Sequence, residues 1–119
     1  MVDIFINSTL IGHSITLKDD SPEVRKASAE ALGSIGPPQA FAAMQHLAKT
    51  LKDAVPEVRA SAALAISQVG SATNPTPELL RNLQEMLKDH IWKVRFAACK
   101  AIGTYSLCSI LTHKIRIFW

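Results

Sequence analysis

The residues whose side chains could catalyse a reaction or hold a metal are few, and their spacing suits neither. His13, His46, His90 and His113 could act as ligands or general bases, and Cys99 and Cys108 as nucleophiles or thiolate ligands. A helical metal site brings two such groups together at a fixed interval, as in H-E-x-x-H, and no histidine here has a carboxylate so placed. The cysteines lie nine positions apart without a C-x-x-C pair, which indicates neither a zinc framework nor a disulfide scaffold and fits a reduced, intracellular setting. Nothing near Cys108 marks it as an activated thiol. The glycines fall where helices should stop and make no phosphate-cradling loop. These residues predict no enzyme, no cofactor and no metal.

One polar pair does recur at a strict interval. Asp19 and Arg25, Asp53 and Arg59, and Asp89 and Arg95 are each six positions apart. An arginine repeated at one place on an otherwise apolar helix needs a fixed acceptor, so these pairs read as structural.

The pairs sit inside a longer repeat. LKDDSPEVRKASAEALGSIG from Leu17, LKDAVPEVRASAALAISQVG from Leu51 and LKDHIWKVRFAACKAIGTYS from Leu87 align without gaps, at spacings of 34 and 36 residues. Within the middle unit Val58, Ser61, Ala62, Ala65, Ile66 and Val69 fall on one face of a 3.6-residue helix, with small residues at its centre that allow close helix approach. Pro22 and Pro56 suit a first helical position, Ser21 suits the N-cap before Pro22, and Gly36 and Gly70 suit left-handed C-caps. The intervening segments also read as helical: Thr76-Pro77-Glu78 starts one with Leu79, Leu80, Leu83, Met86 and Leu87, and Pro38 precedes another with Phe41, Met44, Leu47 and Leu51. Each unit is a helical hairpin that cannot bury both apolar faces alone, so neighbours must stack.

The D-x-x-P-x-V-R core and the alanine-rich helix after it resemble the HEAT-repeat family, especially its short-repeat branch of phycobilisome-lyase-like repeats, over residues 17 to 106. The resemblance implies an all-α superhelix, a solenoid of about three hairpins in the armadillo-like style. The units would span residues 4–36, 37–70 and 75–106 of a single 1–119 domain, followed by a divergent tail at 107–119. It implies a polar ladder between adjacent hairpins, carried here by Asp19, Arg25, Asp53, Arg59, Asp89 and Arg95. Some HEAT-like proteins are di-iron hydroxylases that use His-Glu dipeptides as ligands, and this chain has no such dipeptide. The branch alone would suggest lyase or chaperone-like action on bilin proteins, with no residue here to carry it. Cys99 aligns with Ala29 and Ala63 and is expected to be a small buried hydrophobe.

The sequence departs from the pattern at three places. His13 stands where Leu47 and Leu83 stand, among the poor helix formers Ile4 to Thr9. Trp92 replaces the turn proline, and Ser106 replaces the terminal glycine, so the last helix is expected to run on into the tail. Leu107, Ile110, Leu111, Ile115 and Phe118 would form an apolar stripe there, open to self-association, and the chain reads as an excerpt or short isoform of a longer array.

The predicted function is a protein-interaction scaffold with a concave helical surface. Its contacts would come from second-helix positions that vary between units: Glu23, Lys26 and Glu30; Glu57, Ala60 and Leu64; then Trp92, Lys93, Phe96 and Lys100. Net charge is +3, unevenly divided, with seven Lys/Arg against three Asp/Glu after residue 60. That excess leaves open a nucleic-acid-binding module using Arg81, Lys88, Lys93 and Lys100, although it falls short of a dense basic stripe. The apolar start from Val2 to Leu17 carries Asp3, has no basic leader and is too short for the roughly 18 to 20 residues of a membrane span. The expectation is a soluble, intracellular and cytoplasmic protein.

Overall fold

A computed structural model describes Gly12, residues 15–70 and the backbone of residues 75–118, with side chains as far as Tyr105. His13, the segment around Ile4 and Ile6, and the apolar side chains of the tail lie outside the described residues.

The described elements are all helical. They are α1 (Pro22–Ile35), a 3₁₀ turn η1 (Gln39–Ala43), α2 (Met44–Thr50), α3 (Pro56–Val69), α4 (Pro77–Met86) and α5 (Trp92–Phe118). Helical residues Gly12, Ile15 and Thr16 precede the first turn. The long helices α1, α3 and α5 pack side by side in that order, while α2 backs α3 and α4 backs α5. The result is a helical solenoid, one row of long helices backed by a row of shorter ones.

Local chemistry sets the boundaries. Pro22, Pro56 and Pro77 open their helices at the position where a missing N–H costs nothing. The Thr76 hydroxyl accepts the Leu79 N–H at 3.1 Å, a conventional N-cap. Ser21 occupies the equivalent place but works differently: its hydroxyl donates to Glu23 Oε2 at 2.7 Å, and its N–H donates to Asp19 Oδ1 at 2.9 Å. The aspartate therefore organises the turn. Asp53 accepts the Val55 N–H, and Asp89 the Ile91 N–H, each at 2.9 Å in the same way.

Two glycines that look alike in sequence have different reasons. Gly36 has φ 67°, the left-handed conformation expected of a C-cap. Gly70 has φ −83°, so the left-handed expectation fails there. Its lack of a side chain is still needed, because a Cβ would collide with the Tyr105 hydroxyl. The helix expected after Pro38 is split into η1 and α2, and α5 runs past Ser106 without a stop.

The core follows the small-residue stripe. Leu32, Leu47, Val58, Ile66, Val69, Leu83, Val94 and Tyr105 are the largest fully buried side chains, with Ala29, Ala62, Ala63, Ala97, Ala98 and Ala101 between them. Alanine at the helix centres lets α1, α3 and α5 approach closely, and the larger residues fill the ends. At Gly33 the approach is tighter still: a Cβ would lie 3.0 Å from the Ala65 Cα.

Candidate interaction surface

The Asp and Arg residues form a directional ladder. Arg25 Nε donates to Asp53 Oδ2 at 2.7 Å and Nη2 to Asp53 Oδ1 at 3.1 Å, a two-point contact from one hairpin to the next. Arg59 repeats the step forward, with Nε 3.1 Å and Nη2 2.9 Å from Asp89 Oδ2. Each arginine also ties down its own turn. Nη1 donates at 2.7 Å to the Asp19 carbonyl from Arg25, to the Asp53 carbonyl from Arg59 and to the Asp89 carbonyl from Arg95. The aspartate six residues earlier thus offers its backbone to the arginine of its own hairpin, and its carboxylate to the arginine of the hairpin before.

These contacts shift the carboxylates. Burial alone pushes the Asp53 carboxyl up, but the Arg25 guanidinium and the Val55 N–H outweigh it and hold it below the usual range. Asp89 is lowered by the same balance, burial being opposed by the Ile91 N–H and Arg59. Asp19 and Arg95 stand at the two ends. Among the described residues, the Asp19 carboxylate accepts from no arginine and Arg95 meets no carboxylate.

The predicted contact positions divide into three groups. Glu23, Lys26 and Glu30 are exposed, the last two 4.0 Å apart as a surface pair, and Glu23 is held low by the Ser21 hydroxyl. In the middle hairpin Glu57 and Leu64 are exposed, but Ala60 is only 8% exposed and belongs to the core, because its short side chain lies below the surface made by its neighbours. The third hairpin carries the largest apolar exposure. Trp92 is 62% and Phe96 53% exposed, and their rings meet edge to face with centroids 6.5 Å apart. Lys93 Nζ lies 6.0 Å from the Trp92 ring centre, and Lys100 Nζ 5.5 Å from that of Phe96. Cation–π contact holds both ammonium groups over the aromatic pair. Arg81 and Lys88 are exposed as well.

Three features escaped the sequence reading. Cys99 is exposed, contrary to the buried position of Ala29 and Ala63 with which it aligns. Leu87 and Ile91 join Trp92 as exposed apolar side chains. A groove of about 670 Å³ also opens between α2 and α4, lined by Phe41, Met44, Ala48, Leu79 and Tyr105 among others. The Cys99 alignment could have warned of its own failure: a position buried by the next hairpin is buried only where a next hairpin is packed.

The described candidate ligands form no cluster. His46 is half-buried beside Leu17, Lys49 and Asp53, and His90 is exposed. Among the described residues no three His, Cys, Asp or Glu side chains cluster closely enough to hold a metal ion. Among them, too, no helix is long and apolar enough to cross a membrane.

A comparison with curated proteins finds no match. The family model for HEAT repeats matches twice, over residues 13–77 and 45–109, and each match covers one hairpin-to-hairpin junction with its Arg-to-Asp rung. Stacked helical hairpins, the forward ladder and these matches agree: the chain belongs to the HEAT-repeat family.

Proposed function

We propose that the chain is a non-catalytic scaffold that binds a protein partner along the exposed side of its long helices, with Trp92 and Phe96 as anchors. HEAT repeats commonly serve as protein-interaction scaffolds. The observation that carries the reading is the aromatic pair itself. Two large rings, each more than half exposed and flanked by Lys93 and Lys100, have the composition of an interface hot spot. Leu64 and Glu57 on α3 continue the strip, and Lys26 and Glu30 on α1 give it a mixed-charge end. A protein segment with apolar side chains and acidic neighbours fits the α5 end best.

Affinity capture from cell extract, with and without nuclease, tests this when run beside Phe96→Glu and Leu64→Glu. The expected result is a partner retained after nuclease treatment and lost with either substitution, while helicity is unchanged. Capture that disappears with nuclease or falls steeply with salt would transfer the function to nucleic-acid binding.

A further inference from the structure

The three hairpins do not bury equivalent residues equally, and the differences lie on one face. Leu17 and Leu51 are 5% and 2% exposed, whereas Leu87 is 39% exposed. Arg25 and Arg59 are part-buried against the aspartate that follows them, whereas Arg95 is exposed. Ala29 and Ala63 are fully buried, and Cys99 is exposed. Gly33 lies against Ala65 of α3, while a Cβ at Gly103 would meet nothing within 4 Å. In the first two hairpins these four positions receive the next hairpin. In the third the same positions are presented open.

The opposite face of α1 is open in the complementary sense. Val58 and Val94 are fully buried and Val24 is only half-buried; Ser61 and Ala97 are buried and Ala27 is exposed; Ala65 and Ala101 are buried and Ala31 is half-buried. The Asp19 carboxylate on this side is already in the receiving pose, since Oδ1 accepts the Ser21 N–H just as Asp53 and Asp89 accept Val55 and Ile91. Its Oδ2, the oxygen that Arg25 and Arg59 use on the next two aspartates, has no partner among the described residues.

We infer that the face made by Leu87 of the α4–α5 turn and by Arg95, Cys99 and Gly103 of α5 docks the first hairpin of a second copy of this chain, with Arg95 of one copy paired to Asp19 of the next. Charge and shape both select this occupant. The donor and its acceptor are held in the geometry of the two rungs already formed, and the small residues Cys99 and Gly103 admit a helix as Ala29 and Gly33 do. The register sets α1 of the second copy alongside residues 92–105 of α5. The contact is head to tail, so it closes into a ring or continues as a filament according to the rotation per copy. This surface adjoins the α5 end of the strip proposed above to bind a protein partner, since Arg95, Cys99 and Gly103 lie three residues beyond Trp92, Phe96 and Lys100 in turn, but it does not use Leu64 of α3, which therefore tells the two apart.

Charge exchange across the contact tests the inference. In sedimentation at low salt the 119-residue chain should form oligomers that grow with concentration, and Arg95→Asp or Asp19→Arg alone should weaken association by at least tenfold. An equimolar mixture of the two variants should associate again, because each then meets an opposite charge. Gly103→Leu, which has free space in the monomer, should keep the melting temperature and abolish association. Leu64→Glu should leave association unchanged whatever it does to partner capture. A chain that stays monomeric at every concentration overturns the inference, as does association that survives Gly103→Leu or is not restored in the mixture. The latter results would place the contact elsewhere, residues 107–119 included.

Discussion

The Arg25 guanidinium leaves its own hairpin to meet the Asp53 carboxylate of the next, with Nε 2.7 Å from Oδ2 and Nη2 3.1 Å from Oδ1. Its remaining nitrogen holds the Asp19 carbonyl at 2.7 Å. One side chain thus fixes the shape of its turn and the spacing between two hairpins. In an array where each unit touches only its neighbours, stability is the sum of such junctions, so damage to one rung should be felt by the whole chain.

Arg59→Ala removes a part-buried rung together with the carbonyl contacts of its own turn. It should cost about 2 to 3 kcal/mol, the range of hydrogen bonds to charged groups whose partner is left behind. Lys52→Ala, at an exposed position without an ion pair among the described residues, should stay within about 0.5 kcal/mol. Thermal melts of both variants check this, and equal shifts would show that the rung does not hold the junction.

Acid should loosen the same junctions. The Asp53 and Asp89 carboxyls titrate lower in the folded chain than in the unfolded one. Their ionised forms therefore contribute stability above the ordinary aspartate value of about 3.9, and that contribution is lost as the pH falls through this value towards the folded one. Melting temperature should drop below about pH 4. Asp53→Asn should melt lower than the parent at neutral pH and lose less on acidification, which melts across the pH range will show.

The glycines offer a contrast that backbone preference alone would miss. Gly70→Ala should destabilise by about 1 to 3 kcal/mol, because the new methyl meets the Tyr105 ring in a filled core. Gly103→Ala, inside α5 with open space around it, should stabilise the chain by about 0.5 to 1 kcal/mol through helix propensity. Denaturant unfolding of the two variants should move the midpoint in opposite directions.

Exposure of Phe96 and Leu64 predicts that Phe96→Glu and Leu64→Glu leave helicity and melting temperature nearly unchanged. Circular dichroism decides it: unfolding of either variant would make that residue part of the core and remove it from the contact strip.

Much of this molecule is local and therefore legible in the chain. Helical periodicity around Val58, proline at first-turn positions, Thr76 before Pro77 and the recurring Asp and Arg depend on near neighbours, so pattern alone predicts α1, α3, α4 and the start of α5. The properties that differ between equivalent positions are set by what packs against them. Sequence makes Cys99 equal to Ala63, yet only Ala63 has a following helix over it. Gly70 has the look of a left-handed cap, but the requirement comes from Tyr105, 35 residues away in the chain. The period that repeats Asp and Arg also leaves the pairing undetermined, because one aspartate lies six residues before each arginine and, for Arg25 and Arg59, another lies 28 or 30 residues after it. Stacking of one hairpin on the next decides that the near aspartate gives its carbonyl and the far one its carboxylate. That choice follows from where the helix axes place the guanidinium, a distance that no spacing along the chain contains.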